Sequence, residues 1–185
     1  MIYWKKIIEM HLEFEGISIE QSPKVIPAFI SFLNRIKNLS QIIELGAGFG
    51  GFSRFLASLK LCNILAVEKD KTKHPEKNNN HKNLEFIIGD YYLLAENIGK
   101  IIRKSGISVV LCDGGALGDK YNQLKTFMPY CKEGDYILSH DFMFPKHGGI
   151  TEEQLVKLNE KFGFEPIYED LMKLVYWSCS IKKEP

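Results

Sequence analysis

A glycine-rich segment carries the clearest chemical signal in this sequence. Residues 42–53 read Ile-Ile-Glu-Leu-Gly-Ala-Gly-Phe-Gly-Gly-Phe-Ser. Because glycine has no Cβ atom, the backbone can turn sharply there and approach a bound molecule closely. The segment leaves an apolar run and enters a predicted helix, whose first N–H groups attract carboxylate or phosphate. The loop therefore predicts a binding site for a ligand with an anionic group.

The same loop fits two nucleotide-type patterns. It matches GxGxxG from position 46 to position 51, and GxGxG from 46 to 50 with Glu44 two residues earlier. Glu68 ends the next apolar run. A carboxylate there, about 20 residues beyond the glycines, accepts hydrogen bonds from ribose hydroxyls. Loop and carboxylate together predict an adenosine-type ligand without saying which one.

Further ionisable residues directly follow later apolar runs. They are Asp90, Asp113 and the pair His140-Asp141. In sheets of parallel strands, ligands bind beyond the carboxyl ends of the strands. We therefore expect these side chains to gather at one edge of a sheet and to form a functional site.

Short apolar runs alternate with helical stretches along most of the chain. This alternation predicts an α/β fold in which helices cover both faces of a parallel sheet. A capping-box pattern, Thr151-Glu-Glu-Gln154, predicts the start of the last helix. The predicted strands are 41–45, 63–67, 84–88, 107–112, 135–139, 164–168 and 174–181, and the predicted helices after the first strand are 52–59, 91–104, 121–130 and 151–162.

Two helices are predicted before the first strand. Residues 3–14 place apolar side chains at helical spacing, and Ser22-Pro23 predicts the start of a second helix that ends near Lys37. We therefore divide a single domain, 1–185, into a helical extension at 1–40 and a core at 41–181. The extension could cover the site or form a homodimer contact. The asparagine-rich segment 71–83 predicts a solvated loop.

Composition restricts the classes of partner and location. A net charge of +1 gives no overall field that favours nucleic acid or an anionic membrane. No signal peptide is recognisable, and no apolar run reaches the roughly 18 residues of a membrane span. The four cysteines form no CxxC pair, which favours reduced thiols in a cytoplasmic protein over a zinc site.

The ordered series of motifs resembles class I S-adenosylmethionine-dependent methyltransferases over about residues 40–181. The series comprises Glu44 to Gly50, Ala66-Val-Glu68, Gly89-Asp90 and Asp113. The resemblance implies S-adenosylmethionine as the cofactor. It also implies a Rossmann-like, doubly wound, mostly parallel sheet of about seven strands with an antiparallel C-terminal strand. The cofactor-binding residues that it implies are Glu44, Gly46, Ala47, Gly48, Gly50, Glu68, Lys69, Asp90, Tyr91 and Asp113.

A narrower resemblance concerns the acceptor side. Residues 111–115 and 132–141 resemble small O-methyltransferases of the cephalosporin-hydroxylase-like, sugar and catechol types. This resemblance implies methylation of a small-molecule hydroxyl. It also implies magnesium or another divalent metal, bound by Asp113, His140 and Asp141. Such an ion would orient substrate oxygens and lower the pKa of a hydroxyl.

The sequence departs from those relatives at two positions. Ala116 stands where some relatives have a histidine, and Phe142 stands where the catechol-type enzymes have an asparagine. If no metal is used, His140 or Lys120 could act as the general base. The predicted catalytic residues are therefore His140, Asp113 and Lys120.

Three alternatives remain open from the sequence. The GxGxxG pattern also fits a nicotinamide-dependent oxidoreductase, although such enzymes normally have further strands or a second domain for the substrate. A non-catalytic module that binds an adenosyl cofactor would keep the loop and Glu68 without using His140. Nucleic-acid methylation is disfavoured because no basic stripe stands out in the sequence.

Overall fold

The computed structural model describes residues 12–73, 75–77, 79–104, 106–115, 119–144, 149–167 and 176–184. A hairpin of β1 (Leu12–Phe14) and β2 (Ile17–Ile19) precedes the main sheet. The main sheet contains β3 (Leu39–Leu45), β4 (Asn63–Glu68), β5 (Leu84–Ile88), β6 (Ile107–Cys112), β7 (Tyr136–Ser139), β8 (Phe164–Pro166) and β9 (Ser178–Lys182). The helices are α1 (Val25–Leu33), α2 (Gly51–Ser58), α3 (Ala95–Lys104), α4 (Asp119–Phe127) and α5 (Glu152–Phe162).

The main sheet has the strand order β5-β4-β3-β6-β7-β9-β8. Its first five strands run parallel, whereas β9 runs antiparallel to both of its neighbours. The predicted Rossmann-like sheet with an antiparallel C-terminal strand is therefore confirmed. The strand order reverses at β3, which lies between β4 and β6, and such a switch point creates a crevice for ligands.

Neighbouring residues of the central strands point to opposite faces of the sheet. Ile42 and Val109 belong to an apolar cluster with residues of α1 and α2. Ile43 and Val110 belong to a second cluster with residues of α3, α4 and α5. Both faces are therefore covered, which explains why these strands are continuous apolar runs and not alternating ones.

The start of α3 differs from its predicted start at Tyr91. The carboxylate of Asp90 accepts a hydrogen bond from the backbone N–H of Tyr92 at 2.8 Å. Residues 91–94 form a turn, and the helix begins only at Ala95. Aspartate commonly stabilises such turns because its side chain bonds the backbone two residues further on.

The prediction of a helix over residues 3–14 is wrong at Leu12–Phe14, and its residues up to 11 lie outside the described part. Leu12–Phe14 pairs antiparallel with Ile17–Ile19. The two residues between these strands, Glu15 and Gly16, have φ angles of 54° and 74°. Two-residue turns with positive φ match the twist of paired strands. Over residues 12–40, the extension is therefore a hairpin followed by α1.

The hairpin packs against the beginning of α2. The rings of Phe14 and Phe55 meet edge to face with centroids 6.1 Å apart. A Cβ atom on Gly51 would lie 2.3 Å from the carbonyl oxygen of Ser18, so glycine is required for this approach. The hairpin thus lies over the glycine loop. None of the helices in the described ranges is long and apolar enough to cross a membrane.

Gly46→Ala should destabilise the fold strongly. Gly46 has a φ of +101°, and a Cβ atom there would lie 2.2 Å from Cα of Gly114. Strain and overpacking should lower the free energy of unfolding by roughly 2 to 5 kcal/mol. Gly16→Ala is the control because Gly16 also has positive φ, but nothing lies within 4 Å of its Cβ position; its cost should be about 1 kcal/mol. Urea unfolding measures both, and equal losses would contradict a tight contact between the two loops.

Candidate functional site

A cavity of about 490 Å³ lies at the carboxyl ends of the parallel strands. This volume is typical of sites for small molecules and cofactors. Two predicted residues, Gly50 and Asp90, are not among its lining residues. The predicted site residues that do line it are Glu44, Gly46, Ala47, Gly48, Glu68, Lys69, Tyr91, Asp113, Lys120, His140 and Asp141.

Backbone hydrogen bonds fix the glycine loop against β4. The N–H groups of Gly46 and Ala47 donate to the carbonyl oxygen of Val67 at 2.8 and 3.1 Å. The N–H of Gly48 donates to one carboxylate oxygen of the buried Glu68 at 2.7 Å. The N–H of Asp70 donates to the other oxygen at 2.8 Å. Since a carboxylate has about four acceptor positions, Glu68 is held in place with capacity for two hydroxyl groups.

Glu44 is a buried carboxyl group at the floor of the cavity. The hydroxyl of Ser53 donates a hydrogen bond to it at 2.5 Å. The pKa of Glu44 is raised to about 8. Burial is the main cause, the hydrogen bond from Ser53 opposes it, and the charges of Asp113 and Glu68 add to the increase. Glu44 is therefore mostly protonated at neutral pH, and a positive charge in the cavity would favour its ionisation.

Asp119 organises the side of the cavity next to β5. The hydroxyl of Tyr91 donates to one of its carboxylate oxygens at 2.5 Å, and the hydroxyl of Tyr92 donates to the other. The ammonium of Lys69 lies 5.7 Å from the Tyr91 ring centroid and 3.9 Å from Asp119. Burial, followed by the bond to Asp119, raises the pKa of Tyr91, so this tyrosine stays neutral. The exposed Asp90 caps the neighbouring turn instead.

His140 and Asp113 form a close pair in another part of the cavity wall, after β7 and β6. Nδ1 of His140 lies 2.8 Å from Oδ1 of Asp113 and 3.7 Å from Oδ1 of Asp141. Burial alone would lower the pKa of His140, but the charges of both aspartates and the hydrogen bond to Asp113 raise it overall. Because a carboxylate only accepts hydrogen bonds, Nδ1 carries the proton and Nε2 remains as the basic nitrogen.

Lys120 is a buried cation next to this pair. Its side chain is 3% exposed. The ammonium donates to the carbonyl oxygens of Asp113 and Gly114, both at 3.1 Å, and lies 3.6 Å from a carboxylate oxygen of Asp141. The lysine is therefore fixed by oxygen atoms from the loops after β6 and β7.

The predicted metal ligands do not fit a metal centre. Across the described ranges, no group of three or more His, Cys, Asp or Glu side chains is arranged to hold a metal ion. The two oxygens of Asp113 are bonded to His140 and Gln21, and Asp141 faces the ammonium of Lys120. The prediction of a divalent ion on Asp113, His140 and Asp141 is thus unsupported, because hydrogen-bond donors and a lysine already occupy these carboxylates.

Sequence reasoning missed the contribution of the N-terminal segment. Gln21 contacts Asp113, and Glu20 lines the cavity and pairs with Lys73 at 3.2 Å. A signal for this hairpin was present, since Glu15-Gly16 stands between two short alternating runs. Trp177, whose ring packs against that of His140 with centroids 5.0 Å apart, has no comparable signal because the contact joins distant parts of the chain.

Sequence comparison identifies the family. The model of the FtsJ-like methyltransferase family matches residues 6–164, which is most of the chain. The chain belongs to this family. The prediction of an S-adenosylmethionine-dependent methyltransferase is thereby confirmed, and the oxidoreductase alternative loses its support. The O-methyltransferase subtype stays a prediction. No curated protein matches the chain in sequence.

Solved structures share the fold of this methyltransferase at low sequence identity. A Staphylococcus aureus protein described as a caffeoyl-CoA O-methyltransferase is 15% identical, with a TM-score of 0.64 over 98% of this chain and 91% of its own. The N-terminal domain of EvdMO1, solved with S-adenosylhomocysteine, is 18% identical, with a TM-score of 0.60 over 100% and 95%. Human N-acetylserotonin methyltransferase, solved with S-adenosylmethionine, is 16% identical, with a TM-score of 0.59 over 86% and 51%.

The ionisation of Glu44 should make cofactor binding depend on pH. As pH rises through its pKa of about 8, Glu44 becomes negative and should attract the positively charged S-adenosylmethionine. Between about pH 6 and pH 9, calorimetry should show the affinity of the parent protein for S-adenosylmethionine rising about tenfold more than the affinity of Glu44→Gln. The glutamine side chain of this variant keeps an acceptor for Ser53. S-adenosylhomocysteine, which lacks the sulfonium charge, should show a smaller difference. The same pH dependence in both proteins would show that Glu44 does not ionise on binding.

Proposed function

We propose that this methyltransferase methylates a hydroxyl group of a small molecule by metal-free general-base catalysis. The observation that carries the proposal is the 2.8 Å contact between Nδ1 of His140 and Oδ1 of Asp113 in the wall of the cavity. A histidine oriented by a buried carboxylate is a common arrangement for removing a proton from a hydroxyl group.

The cavity fits S-adenosylmethionine by size, charge and backbone approach. Gly46 and Gly48 leave no side chain between the loop and a ligand, and a Cβ atom on Gly48 would lie 2.8 Å from Glu20. Glu68 would bind the ribose hydroxyls, and Glu44 would face the cationic end. When bound, the cofactor supplies a methyl group that an acceptor oxygen attacks in line with the bond to sulfur.

His140 would take the proton of the acceptor hydroxyl. With Nδ1 donating to Asp113, the lone pair of Nε2 is available for this proton. The positive charge formed on the ring is then stabilised by Asp113 and Asp141, whose charges already favour protonated His140. The raised pKa makes His140 a stronger base than an ordinary histidine, and it requires a pH at which the ring is neutral.

Lys120 would supply a fixed positive charge without a metal. Its ammonium holds the carbonyl groups of Asp113 and Gly114 in place and offsets the charge of Asp141. Because all three oxygens approach the same nitrogen, Lys120 orders the loop that presents Asp113. We assign it a positioning role, since its nitrogen is already committed to these oxygens.

RNA is the second candidate acceptor. Members of the FtsJ-like family also methylate RNA. Five lysines lie between positions 69 and 82 of the sequence, and two of them, Lys69 and Lys73, line the cavity. Against it, the chain carries a net charge of only +1, and carboxyl groups of Glu68, Asp70 and Asp113 line the cavity. These carboxylates would repel a phosphate backbone, so we favour an acceptor without phosphate groups.

His140→Gln should abolish most methyl transfer without weakening cofactor binding. Loss of a general base should reduce kcat by about 10² to 10⁴, while the Kd for S-adenosylhomocysteine stays within about twofold of the parent. The measurement is transfer of labelled methyl from S-adenosylmethionine to phenols, catechols, sugars and single-stranded RNA. His81→Gln is the matched control, since His81 bonds Glu15 outside this cavity.

Two results of that screen would overturn parts of the proposal. An unchanged rate in His140→Gln would remove His140 from the reaction. Labelling of RNA but of no small hydroxyl compound would replace the proposed acceptor class and leave the methyltransferase assignment unchanged.

Chelation of divalent metals should leave the rate unchanged, because Lys120 faces the carboxylate that a metal would need. Lys120→Met should lower the free energy of unfolding by roughly 3 kcal/mol, since the carbonyl oxygens of Asp113 and Gly114 and the carboxylate of Asp141 lose their buried partner, and should reduce kcat. Lys125→Met on the exposed side of the same helix is the control. Assays with and without EDTA and urea unfolding test both points. Activity lost to EDTA and restored by Mg²⁺ would contradict the metal-free reaction.

A further inference from the structure

A closed ring of contacts joins the N-terminal segment to the proposed base. Nε2 of Gln21 donates to Oδ2 of Asp113 at 2.5 Å, and Oε1 of Gln21 accepts from Nε1 of Trp177 at 3.3 Å. The Trp177 ring packs against the His140 ring, with centroids 5.0 Å apart and the ring planes tilted by 32°. His140 closes the ring by its contact with Asp113 at 2.8 Å.

We propose that Gln21 is a positioning residue, which sets the orientation of His140 by holding Asp113 and Trp177 at the same time. This inference rests on the proposed function of His140 as the base. Gln21 adds no charge to the site, so it acts through geometry alone. Neither Gln21 nor Trp177 contains a group that could take the hydroxyl proton, and neither is assigned a chemical step.

The chemistry of the partners requires a side-chain amide at this position. A carboxylate only accepts hydrogen bonds and an indole N–H only donates one. The side chain between Asp113 and Trp177 must therefore donate with one atom and accept with another. Glutamine meets both demands, whereas glutamate at position 21 would lose the donor and methionine would lose both functions.

Contacts outside the ring hold both Trp177 and Gln21 in place. Trp177 is fully buried, and its ring meets that of Phe29 in α1 edge to face with centroids 5.3 Å apart. Gln21 lies two residues beyond β2, next to Glu20, which pairs with Lys73 at 3.2 Å. Because Glu20 also lies against Gly48, the same segment contacts the glycine loop and the proposed base. The hairpin thus fixes the acceptor side relative to the cofactor side.

Nuclear magnetic resonance of the whole protein tests this inference without a known acceptor. Trp4→Phe removes the other tryptophan of the chain, so one indole N–H signal reports on Trp177. The ¹⁵N shifts of His140, recorded where the ring is neutral, report which nitrogen carries the proton. We expect the Nδ1–H form and a slowly exchanging indole proton in this background.

Two substitutions separate the two hydrogen bonds of Gln21. Gln21→Met should shift the indole signal, speed its exchange with solvent, and give a mixture of both neutral forms of His140. Gln21→Glu keeps an acceptor for Trp177 but loses the donor to Asp113, so the indole signal should stay near its original position while His140 changes. Affinity for S-adenosylhomocysteine should remain within about twofold in both variants, which shows that they are folded.

The outcomes distinguish the inference from the proposed function. Unchanged His140 and indole signals in Gln21→Met, or an unchanged kcat with an acceptor found by the screen, would overturn the positioning role. With such an acceptor, we expect kcat to fall at least about tenfold while KM for S-adenosylmethionine changes little. A parent protein that keeps both signals but methylates only RNA would instead overturn the proposed acceptor class, while the changes of these signals in the two Gln21 variants would still decide the positioning role.

Discussion

The contact between two glycines at the centre of the sheet determines where every other part of the site lies. Gly46 and Gly114 are so close that no side chain fits between the loops after β3 and β6. The carbonyl oxygen of Leu45 accepts hydrogen bonds from the N–H groups of Asp113 and Gly114, at 3.0 and 2.5 Å. These bonds extend the pairing of the two central strands beyond their ends. As a result, the glycine loop and Asp113 are held by the same backbone hydrogen bonds, at the point where the strand order reverses.

The contact between Gly46 and Gly114 brings several carboxyl groups into one cavity, and each of them is stabilised in a different way. Glu44 is mostly protonated because burial raises its pKa to about 8. Glu68 accepts hydrogen bonds from two backbone N–H groups, and Asp113 is bonded to His140 and Gln21. Since an unpaired buried charge is costly, each of these arrangements reduces the electrostatic repulsion between neighbouring carboxyl groups. A bound S-adenosylmethionine would add a further positive charge beside these carboxyl groups.

Membership of the FtsJ-like family establishes the class of reaction, and the neighbouring structures establish the shared fold at 15–18% identity. Neither determines the acceptor, because one fold serves many substrates through the residues grafted onto it. In this chain, the acceptor side is built from elements outside the glycine loop: the segment after the hairpin, the start of α4 and the residue before β9. Gln21 and Trp177 from these elements contact the pair of Asp113 and His140, which lies in the loops after β6 and β7, and the start of α4 adds the buried Lys120. We therefore favour the proposed general-base reaction without a metal.

The sequence by itself determined the parallel sheet, the glycine loop and the presence of carboxylates at strand ends, because these depend on local spacing and on which face each residue presents. It also contained the hairpin turn at Glu15-Gly16, although helical spacing further upstream led to the wrong assignment there. Only the tertiary structure decided that Gln21 meets Asp113 and Trp177, since these contacts join residues far apart in the chain. Packing likewise buries Lys120 beside Asp141, a carboxylate that the resemblance had assigned to a metal.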